Sequence, residues 1–260
     1  MIVSHKHRFI FVHCRKVAGS SIKVALAPHL GDDDIVIGSM NEIMKAGGSM
    51  NRAARKALYR PAPMLKALAA RLAGRSWPEA ANIGIKSYYK GRLSVNPPHP
   101  SAAEMASFFP EEWNSYYKFA FVRNPFERVV SDYQWRSRST KKELPFEDYV
   151  RQLEQPETRG AFVHAGGVRN MDMIMLDGRI AVDAVGKFET LVEDFSRITA
   201  EAGIKGASLG TREKRSPRVD LHSFYGPEQI EIVSRIFKDE LEAFGYELPF
   251  DQAAVGGNNE

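Results

Sequence analysis

Apolar residues arrive in short blocks separated by polar turns, and the blocks switch between strand-like runs and helix-like spacing. Phe9-Ile10-Phe11-Val12 is uninterrupted and predicts a buried strand over 8–13, which the chain enters almost at once. Residues 19–28 predict a helix closed by Pro28. Ile83-Gly84-Ile85-Lys86 reads as a short strand. Asn96-Pro97-Pro98-His99-Pro100 must be extended or turned, because each proline restricts itself and its predecessor. Ser101-Ala102-Ala103-Glu104 then matches a capping box. Residues 116–122 predict a second strong strand and 125–138 a second strong helix, with Asn124 as cap, Pro125 at its first position and Glu127 completing the pattern. Val185–Glu189 reads as a further strand, 190–202 as a helix, 203–220 as a polar loop, 226–244 as one last amphipathic helix and 251–260 as a frayed tail. No internal repeat is visible. Strands alternating with helices predict an α/β fold with a mostly parallel central sheet flanked by helices. We expect a single domain over 1–260 with a basic helical insertion at about 40–80.

Composition narrows the class. The chain has 260 residues, 43% hydrophobic and 26% charged, as a soluble globular protein requires. A formal net charge of +4 suits an anionic ligand. The single cysteine, Cys14, excludes an intrachain disulfide and points to a reducing compartment. No signal-peptide core and no bilayer-length apolar stretch is visible, so a cytoplasmic location is expected. Residues 43–78 contain no Asp or Glu but carry Lys45, Arg52, Arg55, Lys56, Arg60, Lys66, Arg71 and Arg75 between Ala, Leu and Met. Two readings stand: surface helices on the domain edge, or a basic face for peripheral contact with a membrane surface or a polyanion. No nucleic-acid partner is expected, and nothing in the pattern speaks to oligomeric state.

The candidate chemistry lies in two strand–turn–helix junctions. The first is His13-Cys14-Arg15-Lys16-Val17-Ala18-Gly19-Ser20-Ser21. A helix start presents N–H groups and a positive dipole end to an anion. Gly19 lets the backbone come close to an oxyanion and can adopt angles a Cβ would forbid. Ser20 and Ser21 add hydroxyl donors, and Lys16 adds a point charge. The GxxxxGK[ST] pattern is absent. The second junction is Phe121-Val122-Arg123-Asn124-Pro125-Phe126-Glu127-Arg128-Val129-Val130-Ser131. Capping explains much of it but not Arg123, whose planar fork suits a phosphate dianion, nor Ser131, about two turns into the helix. Arg128 reads as a structural ion pair.

Together, His-x-x-Lys-x-x-Gly-Ser-Ser and Phe-Val-Arg-Asn-Pro-x-x-Arg-x-x-Ser resemble the sulfotransferase family, in the branch holding carbohydrate sulfotransferases and bacterial relatives. His99–Glu104, Lys187-Phe188-Glu189 with Asp194-Phe195, and Asp239 with Phe244-Gly245-Tyr246 agree with it, while 40–80 match nothing in it. The resemblance implies a P-loop-like nucleotide-binding fold and the donor 3′-phosphoadenosine 5′-phosphosulfate, with no metal required. Arg15, Lys16, Gly19, Ser20 and Ser21 would hold the 5′-phosphosulfate, and Arg123 and Ser131 the 3′-phosphate. Lys16 would stabilise the leaving group. Arg15 departs from the family pattern, since relatives often have a small residue there. The acceptor would be a hydroxyl on a carbohydrate or glycolipid. A base is needed for that hydroxyl, and His99 is the candidate, with Glu104 and Asp132 behind it. His13 reads as a buried support. A loop in the region of Arg212, Lys214, Arg215 and Arg218 would close over the nucleotide. Two other functions remain open: a nucleotide-dependent kinase or phosphotransferase, and a non-catalytic anion-binding module.

Overall fold

The two predicted strong strands are neighbours. In the computed structural model, which describes residues 1–140, 144–154, 169–210 and 220–250, β2 (Phe9–Val12) pairs in parallel with β4 (Tyr117–Val122), Phe9 opposite Tyr117 and Val12 opposite Ala120. β7 (Ala184–Lys187) adds in parallel on the far side of β4. Two short strands absent from the sequence reading extend the other edge. β1 (Ile2–Ser4) runs antiparallel to β2, and β3 (Ile35–Val36) antiparallel to β1, giving the order β3-β1-β2-β4-β7. At three and two residues, both are too short to show a periodic pattern. They are secured by Asp34, whose buried carboxylate accepts from the Ser4 hydroxyl at 2.6 Å and from the main-chain N–H groups of His5 and Gly31, each at 2.8 Å. A separate ribbon joins β5 (Met175–Leu176) to β6 (Arg179–Ile180).

The described residues divide into two compact units, one made of those within Met1–Val122 and Met171–Lys214, the other of those within Arg123–Asn170 and Arg215–Glu260. The first holds the sheet and the helices α1 (Gly19–Leu26), α2 (Met40–Lys45), α3 (Arg52–Leu58), α4 (Pro61–Leu72), α5 (Trp77–Tyr89), α6 (Ala102–Phe108), α7 (Pro110–Ser115), α10 (Met171–Ile174) and α11 (Leu191–Glu201). β1, β2 and the Phe119–Val122 stretch of β4 are fully buried, whereas β3 and β7 are only partly so. The expected strand at 83–86 is instead the middle of α5. Ser76 and Glu79 form a capping box that commits the chain to a helix, and Ala81, Gly84 and Ile85 share its buried face at helical spacing. The basic segment carries α2, α3, α4 and the start of α5.

The second unit contains α8 (Pro125–Thr140), α9 (Phe146–Glu154), α12 (Pro227–Ile236) and α13 (Lys238–Phe244). The last predicted helix is therefore two, broken at Phe237. Phe237 fills the core with Phe126, Val130, Tyr149, Tyr225 and Val233. Among the described residues no helix is long and apolar enough to cross a membrane.

Candidate active site

β2 and β4 are parallel neighbours, so the chain leaves both at the same edge of the sheet. Leaving β2, the backbone makes two left-handed residues before the helix, Lys16 at φ 61° and Ala18 at φ 58°. Neither is glycine, so each costs of order 1 kcal/mol or more that the surrounding fold must offset. No side chain caps α1, whose N-cap is Ala18, and no acidic residue lies in its first turn. The first N–H groups of α1 and its positive dipole end are thus arranged for an anion.

Gly19 does not supply the unusual backbone angle that is one of its two expected uses, but a second demand requires it to be glycine. Its φ is not left-handed. A Cβ there would sit 1.8 Å from Nε2 of His13, so glycine makes room for an imidazole. His13 is buried, stacks on Phe11 with ring centroids 5.6 Å apart, and lies 4.2 Å from the ring of His99. His99 in turn places Nδ1 2.8 Å from the carbonyl oxygen of His13. A carbonyl can only accept, so Nδ1 carries the proton and Nε2 presents a lone pair. Burial, outweighing that carbonyl bond, drives the pKa of His99 well below the ordinary imidazole value, helped by the charges of Lys23 and Arg15. The ring is neutral at neutral pH, the form a proton acceptor needs. His13 is lowered in the same direction by burial and by Lys23.

Two further groups complete this junction and were not anticipated. Ser20 Oγ meets Ser39 Oγ at 2.9 Å, tying the helix start to the left-handed pair Gly38 (φ 76°) and Ser39 (φ 65°). A Cβ on Gly38 would lie 2.9 Å from Pro98, so this turn seats the His99 loop. Lys23 is fully buried on α1, donates to the Ile37 carbonyl at 3.0 Å, and has its pKa lowered to about 7 by burial. Its signal in the sequence was a lysine in the same helical phase as Gly19, Ile22 and Leu26. Ser21 sits beside these on the first turn of α1, partly exposed, as do Arg15 and Lys16 before it.

In the second unit, Arg123 follows β4 directly and is 8% exposed, with Nη2 3.0 Å from Glu127 Oε2. Asn124 Oδ1 accepts from the Phe126 N–H at 3.0 Å, as an N-terminal cap should. Ser131 is partly exposed on the second turn of α8. Arg128 is the ion pair foreseen: it is buried with Glu240, Nη1 to Oε2 2.6 Å, and lies over the Phe237 ring. The reserve bases are engaged structurally. Asp132 is buried against Arg136 and the Tyr149 hydroxyl, and Glu104 closes the capping box with Ser101. Arg212, Lys214, Arg215 and Arg218 lie outside the described residues.

The chain is similar to carbohydrate sulfotransferase 11 of Rattus norvegicus, 25% identical over 171 residues that cover 52% of this chain and 48% of that protein. It is also similar to carbohydrate sulfotransferase 10 of Xenopus laevis, 26% identical over 176 residues covering 54% and 50%. The chain spans about half the length of these curated relatives. No solved structure matches it. The model of the sulfotransferase family matches residues 1–247, almost the whole length and both junctions, and the chain belongs to that family.

Proposed function

We propose that this protein is a sulfotransferase that moves a sulfuryl group from 3′-phosphoadenosine 5′-phosphosulfate to a hydroxyl on a carbohydrate or glycolipid acceptor, without a metal. The observation that carries the reading is the tautomer of His99: its Nδ1–H is committed to the His13 carbonyl, so Nε2 is the atom that takes a proton. The uncapped start of α1 and the strained residues ahead of it fit the phosphosulfate end of the donor. Gly19, Ser20 and Ser21 bind there in a P-loop-like manner, with Arg15 as a second cation. Lys16 meets the charge that builds on the bridging oxygen as the S–O bond breaks. Arg123, its fork held by Glu127, takes the 3′-phosphate together with Ser131. His99 Nε2 accepts the proton of the acceptor hydroxyl as its oxygen attacks sulfur. The bound donor supplies the activated sulfuryl group.

The acceptor class rests on the names of the similar proteins. A donor-labelled transfer assay over a panel of glycans, glycolipids and small alcohols tests the whole reading. Thermal unfolding tests its first half: at a hundred times its dissociation constant, 3′-phosphoadenosine 5′-phosphate should add about 2.7 kcal/mol. Stabilisation by ATP with Mg²⁺ but not by the bisphosphate would replace this reading with a kinase.

A further inference from the structure

α4 has apolar residues on both of its sides. Toward α5 it turns Pro63 and Ala67, which are buried. The fit is close, since a Cβ at Gly84 of α5 would fall 2.9 Å from the Pro63 carbonyl oxygen and 3.2 Å from Ala67 Cβ. The opposite side faces solvent and carries Leu65, Leu68 and Leu72, exposed to 66%, 47% and 92%. Ala62, Ala69 and Ala73 are exposed with them. At 3.6 residues per turn these six positions fill one arc about 140° wide, centred opposite the buried face. Tyr59, 59% exposed, stands just before the helix. A helix whose only task was to cover a domain edge would turn polar side chains outward here.

The borders of the arc are cationic. Lys66 falls on one side and Arg71 on the other, while Arg60 and Arg75 flank the ends, all exposed. No Asp or Glu occurs between residues 43 and 78.

We propose that this face of α4 docks on an anionic phospholipid bilayer. Leucines at the centre with cations at the rim match the order of hydrocarbon and headgroup met on entering a membrane surface. A nucleic acid or an anionic glycan offers the charge but no apolar layer to receive Leu72. A second copy offers the apolar layer but brings one cationic rim against another with no acidic side chain between them. The inference is independent of the sulfotransferase reading.

Flotation of the full chain with phosphatidylcholine vesicles, prepared with and without phosphatidylglycerol, tests it. Binding is expected only to the anionic vesicles, weakening as salt is raised. The triple variant L65S/L68S/L72S should lower partitioning about 100-fold, from the loss of three partly inserted leucines. The double variant K66Q/R71Q should lower it about 30-fold. Both sets of side chains face solvent, so circular dichroism and the thermal midpoint should match the wild type. Four results overturn the proposal: wild-type protein that floats with neither vesicle or equally with both, a leucine variant that floats like the wild type, heparin retention in place of vesicle binding, or self-association that the leucine changes abolish.

Discussion

Gly19→Ala should damage the candidate site through His13, and the structure gives the size of the effect. The added methyl would lie 1.8 Å from His13 Nε2 and 1.9 Å from Cδ2. That is roughly 2 Å short of an ordinary contact. The imidazole cannot retreat easily, because Phe11 stacks on it, the His99 ring lies 4.2 Å away, and only 6% of the residue is exposed. Overpacking of this kind costs about 1–3 kcal/mol of stability. A displacement near 1 Å in the residues that position a reacting group costs about 100-fold in rate. Urea unfolding and the donor-labelled transfer assay read the two losses separately. The control is His13→Ala, which removes the obstructing ring at a cost of its own. In that background Gly19→Ala should cost less than about 0.5 kcal/mol, since alanine is the better helix former. The two changes should therefore be non-additive by about 2 kcal/mol. Losses that add within about 0.5 kcal/mol would show that Gly19 is not there for His13.

His99→Asn should lower kcat about 10²–10⁴-fold, and Lys16→Ala at least as much, because oriented charge outweighs a base in such transfers. With the pKa of His99 depressed by burial, wild-type kcat/KM should stay level from neutral pH to well below 6.5 before it falls; an acid limb centred at 6.5 or above counts against His99. Lys23 is held near 7 against an ordinary 10.5, so the folded protein binds fewer protons than the unfolded chain between those values, and stability from this group rises with pH across that window. From pH 7 to 9 the gain should be roughly 2 kcal/mol, and Lys23→Met should remove it in parallel urea titrations; an identical slope in both proteins contradicts the buried ammonium. Glu240→Gln should destabilise by about 3–5 kcal/mol by leaving Arg128 buried without its counter-charge, and Arg128→Met with Glu240→Leu should lose less, as measured by chemical denaturation.

The parts of this fold that were legible are those where one physical demand governs many adjacent residues. Phe9–Val12 and the Phe119–Val122 stretch of β4 are buried in central strands, and their residues are all apolar. The helix starts at Ser101, Ser76 and Asn124 are written as caps, and the Ser76 box marks as helix the stretch that the Ile83–Ile85 alternation presents as a strand. β1 and β3 are not legible because they are three and two residues long and are tied down by Asp34, a single buried carboxylate reaching across thirty positions of chain to Ser4. No periodicity encodes a contact of that kind. The break at Phe237 is similar: a phenylalanine continues the amphipathic pattern while its side chain fills the core at the junction.

The candidate site divides along the same line. Strand, turn and helix start can be read as a run of residue types, and that run is what makes Lys16, Gly19 and Arg123 candidates. The geometry of the candidate site is set by residues distant in sequence: Ser39 on Ser20, Pro98 on Gly38, and the His13 carbonyl on His99. His99 illustrates the difference best. Its place in a proline-bound loop made it a candidate base, and that loop alone could not say which nitrogen carries the proton. The assignment follows from a main-chain carbonyl 86 positions earlier, which fixes the tautomer, and from burial, which keeps the ring neutral. The same His13 whose carbonyl orients His99 has the ring that requires Gly19 to lack a Cβ. His13 therefore contacts both the proposed proton acceptor and the start of α1, and a change at His13 should disturb both although it need touch neither donor nor acceptor.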